Sequence, residues 1–187
     1  MVAKPTHRPA TAADLERLPD NLVGEILHGV LYANPRPAIR HARASTELTV
    51  ELGSSFGRGK GGPGGWIILD EPELHLGADV LVPDLAGWRR ERMPELPDAA
   101  FFTLAPDWLC EVLSPSTAAV DRGEKLPIYA REGVAYVWLL DPLVMTLEVL
   151  RLDGASYRVA GTSHGNAKVR AEPFDAVELD LSVLWAR

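Results

Sequence analysis

Two carboxylates stand in stretches of sequence where burial alone would not put them. Asp84 lies within VLVPDLAGW, and Glu111 lies within WLCEVLS between Leu109, Cys110, Val112 and Leu113. Burying an ionised carboxylate costs several kcal/mol unless it is paired, hydrogen-bonded or bound to a metal. Either residue alone could face solvent at a strand end, because alternation allows one outward position per pair. Together, on adjacent strands, they could reach one divalent cation that relieves the repulsion between like charges. Hard oxygen coordination with open water positions suits Mg²⁺ or Mn²⁺. Lys125, in DRGEK, could add the positive charge that orients a water or steadies a developing phosphorane; a solvent-facing helix lysine is the alternative. Glu25 interrupts VGEIL as Glu111 interrupts its strand, and reads as a third metal carboxylate, a general base or a solvated edge residue. His41 opens the longest helical pattern, where it could touch a scissile phosphate or Glu25, or simply start a helix.

Other chemistries find little support. His7, His28, His75 and His164 have no zinc-ligand spacing, and HExxH and GxSxG patterns are absent. The one cysteine, Cys110, excludes a disulfide framework and an all-cysteine zinc site, and reads as a core residue. The segment 57–65, GRGKGGPGG, lacks the GK[ST] ending of a phosphate loop. It reads as a solvent connector, although its basic residues could touch a phosphate backbone.

These side chains need elements to hold them. A short helix with Thr11 as cap and Leu15 and Leu18 as its apolar face stops at Pro19. A hairpin follows, with arms at 23–27 and 30–33 turning at His28-Gly29. Ile39, Ala42, Leu48 and Leu52 mark a helix over 39–56. Strands are expected at 66–69, 72–76, 80–88, 108–113 and 136–140, with Asp84 in the middle of the third. The Asp121–Glu124 spacing matches a capping box and starts a helix over 121–131, with Lys125 in its first turn and Tyr129 on the same face. Pro127 requires either a helix start near Leu126 or a kink. A hairpin over 146–152 and 157–160, an edge strand near 177–179 and a short helix at 181–185 finish the chain. The layout is α/β (α+β), a mixed sheet with helices packed against it.

The chain has 187 residues and 47% apolar content, enough for one globular domain with a sizeable core. No apolar run is long enough to span a membrane, and the first residues carry no apolar signal segment, so the expected compartment is cytoplasmic. The net charge of −7 argues against a general nucleic-acid coat protein. Its distribution is uneven, however: residues 35–66 sum to +3 and 67–140 to −7. Arg36, Arg40, Arg43, Arg58 and Lys60 make up that basic region and could form an electrostatic track for a phosphate backbone beside a carboxylate-rich centre.

The ordered set GEILHG, VPDLAGW, PDWLCEVLSPST, DRGEKLPIYAREGVAYVWLLDP and EVLRLDGASY resembles the Uma2 family of restriction-endonuclease-like proteins, a branch of the PD-(D/E)XK nuclease superfamily. The resemblance runs from about Leu15 to Trp185. It implies a restriction-endonuclease-like core over about 38–141 within a single domain of 1–187, extended by an N-terminal helix and hairpin and a C-terminal hairpin. It also implies that Asp84 is the PD aspartate and Glu111 the acidic residue of the (D/E)XK strand. The lysine expected at position 113 is Leu113 here, and Lys125 stands in the place where this family supplies it from the following helix. Glu25 and His41 are implied as further site residues, Mg²⁺ or Mn²⁺ as cofactor, DNA as substrate and a homodimer as the assembly. Neither a membrane nor a haem, nucleotide or zinc cofactor is expected.

The leading expectation is a metal-dependent endonuclease in which Asp84, Glu111 and Glu25 hold the cation, with Lys125 and His41 completing the catalytic set. Two alternatives stay open: a non-catalytic nuclease-fold scaffold that dimerises and binds nucleic acid or protein, and a metal-dependent phosphodiesterase for a small substrate.

Overall fold

The structure is a computed structural model that describes residues 2–4, 8–35 and 37–185. After a short strand β1 (Val2–Lys4) and helix α1 (Ala12–Leu15), strands β2 (Leu22–Leu27) and β3 (Val30–Pro35) form the expected hairpin. His28 and Gly29 turn it with φ of 53° and 77°, the left-handed pair that suits the twist of a two-residue loop. Helix α2 (Ile39–Leu52) buries Ala44, Leu48 and Leu52 and continues into a π-type turn at Gly53–Gly57. Ile39, expected on its apolar face, is 88% exposed.

Strands β4 (Trp66–Asp70), β5 (Leu74–Leu76), β6 (Asp79–Leu81) and β7 (Leu85–Arg89) come next. The single strand expected over 80–88 is therefore two strands, and they belong to different sheets. Pro83 is the cause: it has no N–H for a ladder, so the run Val82–Pro83–Asp84 leaves one sheet and enters the other. Asp84 sits at that crossing rather than in mid-strand.

The first sheet has the order β1-β3-β2-β6-β5 and is antiparallel throughout. The second adds β8 (Trp108–Val112), β9 (Tyr136–Asp141), β10 (Thr146–Asp153) and β11 (Ser156–His164) in the order β11-β10-β9-β8-β7-β4. Only β8 and β9 run parallel. A parallel pair needs a crossover, and residues 118–131 supply it as α3 (Ala118–Val120), a π-type turn at Asp121–Lys125 and α4 (Leu126–Arg131). The chain closes with the small pair β12 (Lys168–Val169) and β13 (Leu179–Asp180) and helix α5 (Ser182–Trp185). Strand β12 has no counterpart among the elements expected from the sequence. This is a mixed α+β architecture around a central mixed sheet, as expected. Among the described residues no helix is long and apolar enough to cross a membrane.

The central sheet is covered on both faces. Along β8, Trp108, Cys110 and Val112 pack with α2 and with Trp138 and Phe174, whereas Leu109 packs on the opposite side with Ile128 and Tyr129 of α4. Strand alternation puts Glu111 on that second side as well, so its carboxylate is buried because of its parity and not by exception.

Trp108 and Trp138 meet edge to face at 5.3 Å between ring centroids. Trp138 Nε1 donates to the Glu172 carbonyl at 2.7 Å, but Trp108 Nε1 is buried with no hydrogen-bond partner among the described residues. Removing a bonded donor strands the acceptor, which costs about 1–3 kcal/mol, whereas removing an unpartnered donor costs nothing of that kind. Urea unfolding should therefore find Trp138→Phe less stable than Trp108→Phe by about 1–2 kcal/mol.

Candidate active site

The ammonium of Lys125 is the hub of a buried polar cluster. Its Nζ lies 2.9 Å from Glu25 Oε1, 3.3 Å from Glu111 Oε1 and 3.3 Å from Asp121 Oδ1. Tyr129 donates its phenol to Glu111 Oε1 at 2.6 Å. Glu25 Oε1 also accepts the Val82 N–H at 2.9 Å. Asp84 Oδ2 accepts the Val112 N–H at 2.7 Å, and its Oδ1 lies 3.2 Å from His41 Nε2. Glu25, Glu111, Asp121 and Lys125 are all nearly inaccessible to solvent.

Local sequence explains the convergence. Asp121, Lys125 and Tyr129 recur every four residues, which puts them on one face of the helical run, and that face meets the Glu111 side of β8. The helix begins at Ala118, so Asp121 is an interior residue and not the cap expected from its spacing to Glu124. Pro127 falls in the first turn of α4, directly after the π-type turn. A proline ring collides with the carbonyl four residues back in a regular helix, and the wider turn, closed by the Leu126 N–H on the Asp121 carbonyl, makes room for it. On the other side, the Pro83 crossing frees the Val82 N–H for Glu25 and leaves Asp84 against the end of β8.

The charges are strongly shifted. Burial pushes Glu111 well above the usual carboxylate range, with Lys125 pulling against it, and burial raises Asp121 against the pull of Lys125 and Thr117. Burial also opposes a charge on Lys125, but Glu111, Glu25 and Asp121 together outweigh it and hold the ammonium well above the ordinary lysine range. Lys125 is thus a fixed cation and a hydrogen-bond donor, not a proton acceptor. For His41 burial is likewise outweighed, here by the adjacent Asp84, and its imidazole is raised above the usual value. Tyr129 is pushed up by burial and by Glu111, so it remains a donor.

Of the expected site residues, Glu25, Glu111 and Lys125 are in direct contact, and Asp84 and His41 form a second pair joined to the first through β8. His41 bonds Asp84 rather than Glu25. Asp121 and Tyr129 were not foreseen as members; their four-residue spacing around Lys125 was the signal. The basic residues divide into separate groups. Arg40 lines a groove with Leu143 and Met145, Arg43 is paired to Glu47 at 3.1 Å, and Arg58 and Lys60 lie past the other end of α2. Arg36 lies outside the described residues.

A divalent cation suits this site in donor type and charge. Four carboxylates face one ammonium and one imidazole, which leaves surplus negative charge in a dry setting. Among the described residues no group of three His, Cys, Asp or Glu side chains forms a ready-made metal cage. An ion here would take its protein ligands from Asp84 and Glu111, with water completing the shell as Mg²⁺ prefers.

The raised carboxylates set the sign of the pH dependence. Glu111 and Asp121 bind protons more tightly folded than unfolded, so the native state loses stability as pH rises past the ordinary carboxylate range near 4. Glu111→Gln removes one of these groups. In metal-free buffer its melting temperature should rise relative to the unsubstituted protein between about pH 5 and about pH 8. A constant difference across that range would contradict a Glu111 carboxyl raised by burial.

Known proteins agree with this architecture. A crystal structure described as "a putative nuclease belonging to DUF820 from Anabaena variabilis" matches with a TM-score of 0.73 and 24% identity, covering 95% of this chain and 98% of that one. At that identity the likeness establishes the fold. No curated protein matches the chain. The model of one family, Uma2, described as "Putative restriction endonuclease", matches residues 12–183. With the match spanning nearly the whole sequence, and with Lys125 and the carboxylates around it inside the matched span, the chain belongs to the Uma2 family.

Proposed function

We propose that this protein is a divalent-cation-dependent nuclease that hydrolyses phosphodiester bonds of DNA at the Asp84–Glu111–Lys125 site. One observation carries the reading: Lys125 Nζ lies 3.3 Å from Glu111 although the two are fourteen residues apart. That contact supports a lysine supplied from the next helix in place of the one that the (D/E)XK pattern would put at Leu113. Family membership and the nuclease-like fold support the same reading.

The roles follow from the geometry. Asp84 and Glu111 would hold Mg²⁺ or Mn²⁺, with Glu25 as the further acidic residue beside them. When bound, such an ion supplies Lewis-acid polarisation of the phosphate and activation of water. Asp84 is oriented by the Val112 N–H, and Glu111 by Tyr129 and Lys125. Lys125 stays protonated, so it acts electrostatically, donating to the attacking water or to the charge that builds on the phosphate. His41, charged more readily beside Asp84, is placed to contact the phosphate or to protonate a leaving oxygen.

A second reading, the non-catalytic scaffold, draws on the same cluster. Lys125 is fully engaged by three carboxylates, and no three metal-type ligands are preassembled among the described residues. The two readings differ in what a metal does. A catalytic site predicts that Mn²⁺ raises the melting temperature and that Asp84→Asn abolishes the rise; a scaffold predicts neither.

The direct test is nicking of supercoiled DNA with Mg²⁺ or Mn²⁺. Asp84→Asn, Glu111→Gln and Lys125→Met should each reduce the rate at least about 100-fold, as loss of a principal electrostatic group does elsewhere. Lys125→Met also leaves buried carboxylates uncompensated and should cost about 3–5 kcal/mol of stability, so circular dichroism must accompany the assay. Undiminished nicking by a folded Glu111→Gln protein would overturn the proposal.

A further inference from the structure

The cleft between the C-terminal end of α2 and strand β4 encloses about 470 Å³ and is lined by Arg58, Lys60, Arg90 and Thr49. Among the residues whose side chains the structure describes, Arg40, Arg58, Lys60 and Arg90 are the lysines and arginines with no side-chain ion pair, hydrogen bond or ring contact, and three of these four line this cleft. In a chain of net charge −7, unneutralised cations gathered at one place are a feature to be explained. Arg89, stacked on Trp66 at 4.6 Å, adds a further positive charge beside them.

The cations are presented from a fixed backbone. The segment 57–65, expected to be a flexible connector, is tied to the π-type turn by Arg58 N–H to Gly53 O, Lys60 N–H to Ser54 O and Gly64 N–H to Ser55 O, at 2.9, 2.9 and 3.0 Å. Gly62 lies so close that an added Cβ would stand 2.7 Å from the Ser55 carbonyl. Arg90 is fixed from the other wall, its N–H donating to Gly65 O at 2.9 Å. Strand β4 is the outermost strand of the central sheet, so nothing in the sheet covers this edge.

Asp84 immediately precedes β7 and Arg90 immediately follows it, a separation of about 20 Å along an extended strand. That distance corresponds to about six base-pair steps of duplex rise. The one carboxylate along the neighbouring β4 edge, Asp70, is engaged by the Thr49 hydroxyl. We propose that Arg58, Lys60 and Arg90 form a phosphate-binding clamp that holds the nucleic-acid backbone about six steps from the bond at the Asp84 site. The clamp rests on the nuclease reading for the identity of its polyanion. Its contacts are to phosphate, so it positions the strand without reading sequence.

The test is binding of a labelled duplex of about 20 base pairs, in EDTA, at salt concentrations from about 50 to about 200 mM. Arg58→Ala, Lys60→Ala and Arg90→Ala should each lower the slope of log affinity against log salt by about one, equally on unrelated sequences. Arg158→Ala, on the distant β11 and paired to Asp153, should leave the slope unchanged. Unchanged slopes in all three cleft variants, with normal binding by the unsubstituted protein, would overturn the clamp and leave the nuclease reading intact. Failure of the unsubstituted protein to bind DNA of any form, in EDTA and with Mn²⁺ alike, would overturn both. Dissociation of a dimer by the cleft substitutions, seen by light scattering with DNA binding unaltered, would give the cleft to a second copy of the chain and overturn the clamp.

Discussion

One buried ammonium ties together three elements that are far apart in sequence. Lys125 draws Glu25 from the first sheet, Glu111 from the central sheet and Asp121 from its own helical run to within hydrogen-bonding range of a single atom. Buried charges of this kind are expensive to desolvate, and removing one member strands the others. The junction of the two sheets, the register of the helix on β8 and the orientation of Glu111 are all conditioned by this contact. The cluster is nonetheless not neutral. Its carboxylates outnumber its cations; burial raises the proton affinity of Glu111 and Asp121, and the neighbouring carboxylates add to it. That imbalance is the physical case for a site that receives a further positive charge.

Two prolines make the arrangement possible. Pro83 ends the first sheet and hands the chain to the second, leaving the Val82 N–H for Glu25 and Asp84 for the Val112 N–H. Pro127 follows a widened helical turn that carries both Asp121 and Lys125. In each case a residue that interrupts regular structure stands within two positions of a member of the candidate site.

Much of this was legible in the sequence. The carboxylate inside WLCEVL stands out from its apolar neighbours, with a buried, paired group and a solvent-facing strand end both open in the sequence; the packing on both faces of β8 decides for burial. The DRGEK lysine falls on the helix face that its spacing predicts. The hairpin at His28-Gly29, helix α2 and the order of the central elements also follow from local pattern. The strand break did not follow, because the apolar alternation from Val80 to Trp88 outweighed the proline in its middle, although a proline in such a run argues against a continuous central strand. Asp121 was read as a cap because its spacing to Glu124 fits one, whereas the helix had already begun at Ala118. Arg90 could not be joined to Arg58 and Lys60 from sequence, since the pairing of Trp66 with Arg89 that brings them together is a tertiary contact.

On the proposed reading, the surplus charge around Lys125 accepts a divalent cation through Asp84 and Glu111. Calorimetric titration of the metal-free protein with Mn²⁺, repeated in buffers of different ionisation enthalpy, measures ion uptake and proton release together. A cation site there gives binding with release of protons, fewer of them as pH is raised, and loss of both signals in Asp84→Asn. Absence of binding, or binding without proton release that persists in Asp84→Asn, would contradict it.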